Sequence, residues 1–296
     1  MSVTPVATAS DQRRMALHAR RLLLAMIYHA GSGYPGGALS ATDILVHLYS
    51  QRLATTAEAM AEPDRPRFVL SKGHACAALY AVAALKGLLP LDTLTSFRKI
   101  NGTLQGHPHV KTTPFVEAST GSLGQGFSVA VGMAVGYRHR HYRNPIFAML
   151  GDGELQEGQV WEAAMLAGHY QLDRLCVFID YNKLQRGDLN QNIIGLEPLL
   201  EKWRAFGWQA LNVDGHDFEQ LEMGVNLFMR TAGVPTVLVA HTIKGKGVRY
   251  MEGVAKWHGS VCLSSSNLRQ ALLDLNTDEA EIPGFLDGSV FTGEAG

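Results

Sequence analysis

Two short segments hold the residue types of a site for a hard cation and a phosphorylated ligand. Gly151-Asp-Gly-Glu-Leu-Gln-Glu157 and Asp180-Tyr-Asn182 each close an apolar run of strand length and open a turn. Asp152 and Asn182, thirty positions apart, are expected to meet at the carboxyl edge of a sheet, where open parallel sheets place their ligands. A carboxylate, an amide oxygen and a backbone carbonyl suit Mg2+, which completes its shell with phosphate oxygens; Ca2+ or Mn2+ would accept the same donors. Gly151 and Gly153 leave room for a diphosphate to approach the backbone, and Gly153 is expected to offer it an N–H. Three histidines, His74, His107 and His258, stand beside glycine or proline in loops. Imidazole titrates near neutrality, donates and accepts, and suits binding hydroxyls or moving protons.

Elements that could position these groups follow from the apolar pattern. Met15, Ala19, Leu22 and Met26 recur at helical spacing, so a helix is expected over about 11–30, capped by Ser10. The glycine-rich segment 31–37 reads as a turn, with a second helix starting near Ser40. Segments 67–71, 145–150, 175–179 and 235–240 read as buried strands, and 157–171 as a helix. Strands alternating with helices predict an α/β fold: three layers around a mostly parallel sheet covered on both faces. One domain over 1–296 is expected, with 1–10 and about 264–296 loosely held.

Composition narrows the function. A net charge of −1 and the lack of any basic stripe speak against nucleic acid. Three dispersed cysteines form no CxxC pair, which argues against a disulfide framework or structural zinc and fits a reducing cytoplasm. No run is long enough to cross a bilayer, and the N-terminus lacks the pattern of a signal peptide. Gly31-Ser-Gly-Tyr-Pro-Gly36 matches GxGxxG but follows a helix and contains proline, so it fails the dinucleotide context; Lys244-Gly-Lys-Gly247 has the wrong spacing for a P-loop.

Gly-Asp-Gly followed by this asparagine resembles the thiamine diphosphate signature. Six further blocks resemble the transketolase family, in its order: Ser32-Gly-Tyr-Pro-Gly36, Phe68-Val-Leu-Ser-Lys-Gly-His74, Gly106-His-Pro108, Thr120-Gly-Ser-Leu-Gly-Gln-Gly126, Lys244-Gly-Lys-Gly247 and Trp257-His-Gly259. They span about 30–260 and match the diphosphate-binding half alone. The resemblance implies a thiamine diphosphate-binding fold, thiamine diphosphate and a divalent metal as cofactors, and two-carbon ketol transfer from a ketose or ketose phosphate to an aldose. It implies that Asp152, Asn182 and the carbonyl of Leu184 ligate the metal. Gly151, Gly153, Glu154, Gly121, Ser122 and Leu123, with His74 and His258, would bind the cofactor, Leu123 packing on its ring. His107 would reach the donor's hydroxyls. Glu157 would join a proton relay across a subunit interface.

One position departs from the family, which has histidine where this sequence has Tyr34. A phenol stays neutral near pH 7 and is longer than imidazole, which puts the ordinary sugar-phosphate donors in question. The glutamate that activates the aminopyrimidine lies in the family's other half, so the resemblance implies a separate pyrimidine-binding partner subunit, in an α2β2 assembly. Two other readings stay open: a subunit of another thiamine enzyme (a ketoacid decarboxylase or a deoxyxylulose-phosphate-type synthase), or a non-catalytic thiamine-binding subunit.

Overall fold

The computed structural model describes residues 7–185 and 187–292. Its strands are β1 (Arg67–Leu70), β2 (Ile146–Gly151), β3 (Leu175–Tyr181), a short antiparallel ribbon of β4 (Leu184–Gln185) and β5 (Asp188–Leu189), β6 (Gln209–Asp214) and β7 (Thr236–His241). The five long strands form one sheet in the order β1-β2-β3-β7-β6, and every pairing in it is parallel.

Eleven helices are described: α1 (Ala9–Ala30), α2 (Pro35–Gln51), α3 (Ala57–Ala61), α4 (Cys76–Leu85), α5 (Gln125–His139), α6 (Gly158–His169), α7 (Asn190–Ile193), α8 (Leu199–Ala205), α9 (Phe218–Arg230), α10 (Ser265–Asp274) and α11 (Ile282–Asp287). Side chains alternate across a strand, and the core divides accordingly. Phe147, Met149, Cys176, Phe178 and Leu238 face a layer of α1, α2, α4, α9, α10 and α11. Ile146, Ala148, Leu150, Val177 and Val239 face a second layer of α5, α6 and α8. The expected three-layer α/β architecture is thus observed. No helix among the described residues is long and apolar enough to cross a membrane.

Several boundaries differ from expectation, each for a physical reason. Thr8, not Ser10, caps α1: its hydroxyl accepts the Asp11 N–H while the Asp11 carboxylate accepts the Thr8 N–H, a reciprocal capping box. Residues 1–6 of the expected loose arm lie outside the described residues. Helix α2 begins five residues earlier than predicted, at Pro35, whose fixed φ suits a first helical position. Its Gly36 and Gly37 are helical despite their poor propensity because the helix start is crowded. A Cβ on Gly36 would lie 2.6 Å from the Trp257 carbonyl oxygen, and one on Gly37 would lie 3.2 Å from His74 Nε2.

Of the segment after residue 264, expected to be loosely held, the described residues 268–285 pack into the core, and residues 293–296 lie outside the described residues. Leu268, Leu272, Ile282 and Phe285 are buried in the α1 layer. Arg21 donates to the carbonyls of Leu275 (3.0 Å) and Asn276 (2.7 Å), and His29 Nε2 donates to that of Phe285 at 2.9 Å.

Candidate functional site

The carboxyl ends of β2 and β3 lie side by side, with Gly151 in register with Asp180. Asp152 bridges the two turns that follow: Oδ1 accepts the Gly153 N–H at 2.8 Å and Oδ2 the Lys183 N–H at 2.5 Å. Asn182 Oδ1 accepts the Leu184 N–H at 3.3 Å. Asp152, Asn182 and Leu184 are all buried. Burial, and then the neighbouring Asp180 carboxylate, push the Asp152 carboxyl up to about 6. A carboxylate in that position is stabilised by any adjacent cation. One carboxylate, one amide oxygen and one carbonyl in consecutive turns fit a hard divalent ion that keeps open positions for phosphate.

The glycine N–H groups are used differently from expectation. That of Gly153, expected to face a diphosphate, goes to Asp152, and that of Gly151 goes to Glu154 Oε2 at 3.0 Å. Glu154 also accepts the Gly124 N–H at 2.8 Å and the Ser71 hydroxyl, and Ser71 in turn accepts the Phe127 N–H at 3.0 Å. Its carboxylate therefore braces the ends of β1 and β2 against the start of α5, with neither oxygen lacking a donor.

Positive charge comes from two lysines. Lys72, at the end of β1, forms a buried ion pair with Asp180 and donates to the Gly37 carbonyl at 3.1 Å. Burial alone would raise the Asp180 carboxyl; the Lys72 ammonium, with hydroxyls of Thr242 and Ser40, reverses this and holds it below the ordinary range. Lys244 is buried in the loop after β7 and donates to the Leu184 carbonyl at 2.6 Å and to His258 Nδ1 at 2.7 Å. An ammonium can only donate, so His258 carries its proton on Nε2. Burial, with the Lys72 charge beside it, brings Lys244 down to about 8.

From His258 the site continues as a wall of rings. The His74 ring lies 5.8 Å from His258 and 5.7 Å from Tyr34, and Tyr34 lies 6.1 Å from His107. Burial, then the Lys72 charge and the neighbouring His258 ring, hold His74 well below the usual imidazole value; burial and Arg98 lower His107. Both are neutral near pH 7. Gly121 adopts φ +149°, and a Cβ there would lie 3.1 Å from the His107 ring, so glycine is what lets this loop pass. Beyond it, Ser122 is exposed and Leu123 partly buried.

The fold thus gathers Asp152, Asn182, Leu184, His258, His74, Tyr34, His107 and Gly121 into one continuous site. Glu157 stands apart, exposed at the head of α6 and making no side-chain cap. Sequence reasoning missed Lys72, Lys244 and Asp180 as members. Lys72 and Lys244 lie inside blocks already singled out, but only packing shows that their ammonium groups turn inward.

Residues 11–282 match the family described as transketolase, thiamine diphosphate binding domain. The 6-deoxy-6-sulfo-D-fructose transketolase subunit SqwG of Clostridium sp. (strain MSTE9) is 41% identical over 270 residues, covering 91% of this chain and 98% of that one. One subunit of the apulose-4-phosphate transketolase of Phocaeicola vulgatus is 38% identical over 242 residues, 82% of this chain and 86% of that one. The transketolase of Rattus norvegicus is 41% identical over 233 residues, 78% of this chain but 36% of that one. Among solved structures, transketolase from Campylobacter jejuni superposes with a TM-score of 0.84 at 28% identity, covering 97% of this chain and 48% of that one. The chain spans about a third to a half of such full-length transketolases, and nearly the whole of the relatives named as subunits.

Proposed function

Because the chain belongs to the transketolase family, as its thiamine diphosphate-binding domain, we propose that it is one subunit of a two-polypeptide ketol transferase. The observation that carries this reading is the convergence of Asp152, Asn182, the Leu184 carbonyl and Lys244 at the strand ends. Asp152, Asn182 and Leu184 would hold Mg2+ or a similar ion. Lys244, His258 and His74 would meet the diphosphate, with Gly151 and Gly153 leaving it room. Gly121, Ser122 and Leu123 would line the rings and keep water out. When bound, thiamine diphosphate supplies the carbon nucleophile and electron sink for breaking and making the carbon–carbon bond. His107 and Tyr34 would orient the donor's hydroxyls. As a neutral imidazole, His107 can donate from one nitrogen and accept at the other.

The donor is a ketose carrying an anionic tail, and the acceptor an aldose. Two relatives are named for a sulfonated ketose and for a ketose phosphate, neither an ordinary pentose phosphate. Tyr34 at the donor wall supports a pocket shaped differently from one with histidine there. The partner is a pyrimidine-binding subunit in an α2β2 complex, a closed two-fold arrangement. Exposed Glu157 at the head of α6, beside exposed Val129, Met165 and Leu166 on α5 and α6, supports a contact there.

The test is reconstitution. Purified alone with thiamine diphosphate and Mg2+, the chain should show no ketol transfer, and adding the pyrimidine-binding subunit should restore it. An active homodimer of this chain would sink the reading. In calorimetry, Asp152→Ala should abolish metal-dependent cofactor binding in a folded protein; wild-type affinity would remove the metal assignment.

A further inference from the structure

Among the described residues, no carboxylate pairs with the Arg98 guanidinium. Arg98 follows a 3-10 segment, Leu91–Ser96, and has φ +55°, a left-handed conformation unusual for a non-glycine residue. Its backbone N–H donates to the Leu104 carbonyl at 2.9 Å, closing a tight loop. That loop turns the side chain back onto the site, with Cζ 5.7 Å from the centre of the Tyr34 ring. The guanidinium also packs against Gly106, where a Cβ would lie 3.2 Å from both Cζ and Nη1. Nη1 is buried with no hydrogen-bond partner, and among the described residues no carboxylate pairs with Arg98. A cation is rarely left half-buried and unpaired unless its neighbours or a ligand use it.

Its neighbours are the donor wall. Tyr34 lies between His74 and His107, and Gly106 immediately precedes His107. The His107 carbonyl accepts the Tyr80 hydroxyl at 3.3 Å, so its backbone is fixed from α4 while its ring meets Tyr34 on one side and Gly121 on the other.

We propose that Arg98 is a positioning residue of the donor pocket, its guanidinium clamping the Tyr34 ring to the Gly106-His107 turn. The interaction is cation–π on Tyr34, so it depends on the aromatic ring that stands where the family has histidine. It also disfavours a proton on His107, adding to the effect of burial. The charged and titratable groups around His107 are Arg98, Tyr34, Tyr80, the Cys76 thiol that donates to the Gly106 carbonyl and, beyond Tyr34, His74. Arg98 thereby sets how far into acid the pocket keeps a neutral imidazole. This rests on the proposed function, since His107 matters only where a sugar is held.

Two measurements separate the ideas. The His107 titration is followed by NMR in the isolated, histidine-labelled chain for wild type, Arg98→Gln and Arg98→Lys. Arg98→Gln should raise the His107 midpoint by about half a pH unit, the effect of removing one nearby charge, and Arg98→Lys should restore it. An unmoved midpoint in a folded Arg98→Gln protein overturns the proposal, whatever the enzyme does. In the reconstituted complex, Arg98→Gln should shift the acid limb of the kcat/KM profile upward by the same amount. Arg98→Lys, which keeps the charge but loses the flat stacking face, should raise KM for the donor about fivefold with kcat retained. It also serves if Arg98→Gln does not fold: wild-type KM in Arg98→Lys overturns the clamp. A shifted His107 midpoint in a complex that transfers no ketol group supports Arg98 as the clamp and counts against the proposed function alone.

Discussion

Lys244 reaches back from the loop after β7 to place its ammonium 2.6 Å from the carbonyl oxygen of Leu184, the carbonyl proposed as a metal ligand. The proposed metal ligand and a buried ammonium able to meet a phosphate are therefore neighbours. Lys244→Met keeps the buried stem and removes the charge. Thiamine diphosphate affinity in the presence of Mg2+ should fall by about tenfold or more, the effect of losing one charge-assisted contact to phosphate. Isothermal calorimetry measures it; unchanged affinity would remove Lys244 from the diphosphate cradle.

His107 lies between Tyr34 and Gly121, outside the hydrogen bonds that join Lys244, His258 and Leu184. His107→Ala in the reconstituted complex should lower kcat by about a hundredfold or more, in the range of a lost proton-handling group, and leave cofactor affinity within about twofold. A loss confined to cofactor binding, with normal turnover at saturation, would contradict that placement.

Tyr34 is held firmly enough to shape a pocket. Gly33 pairs with Val261 in an antiparallel bridge and Pro35 begins α2, so little backbone freedom remains. Tyr34→His should change kcat/KM ratios between phosphorylated, sulfonated and unmodified ketose donors by about tenfold, with cofactor affinity retained. The same ratios in both proteins would leave Tyr34 without a part in specificity.

Asp43 ties α2 to α1 and to the loop before α9. Its carboxylate lies 2.6 Å from the Arg20 guanidinium and 2.6 Å from His216 Nδ1, and His216 Nε2 accepts the Ile243 N–H at 2.9 Å. Burial opposes ionisation here, but the Arg20 charge and the His216 contact bring the carboxyl down from 3.8 to about 2. A depressed carboxyl contributes stability that is full above its unfolded value and is lost as pH falls through the folded one, here from about 4 to about 2. The shift corresponds to about 2 kcal/mol. Asp43→Asn should lose about that much in urea denaturation at pH 7, and its gap from wild type should narrow by pH 3. A gap equal at both pH values would mean that charge at Asp43 is not what stabilises this junction.

The sequence alone determined which strands build most of the sheet and where their carboxyl ends lie. The runs ending at Leu70, Gly151 and Tyr181 are nearly all buried, and short continuous apolar runs that stop at a turn are what the strands of a parallel sheet covered on both faces must look like. The turns after them hold His74, Asp152 and Asn182, which could be singled out from type and spacing, whereas His107 and His258 come from later loops and were marked by their resemblance to family blocks. β6, at the sheet's edge, was invisible because its six residues mix buried and exposed positions too briefly to show a period. Helices α10 and α11 were missed because each is short and is held mainly by packing on α1 and on each other.

What only the tertiary structure decided is where donors and charges point. Gly153 and Gly151 turn their N–H groups to Asp152 and Glu154, Lys72 and Lys244 turn inward, and Arg98 folds back onto Tyr34. A lysine or arginine reads the same in sequence whether it is solvated or buried. Its direction is set by which distant backbone carbonyl, carboxylate or ring comes within reach, and those partners lie as far as 108 residues away along the chain.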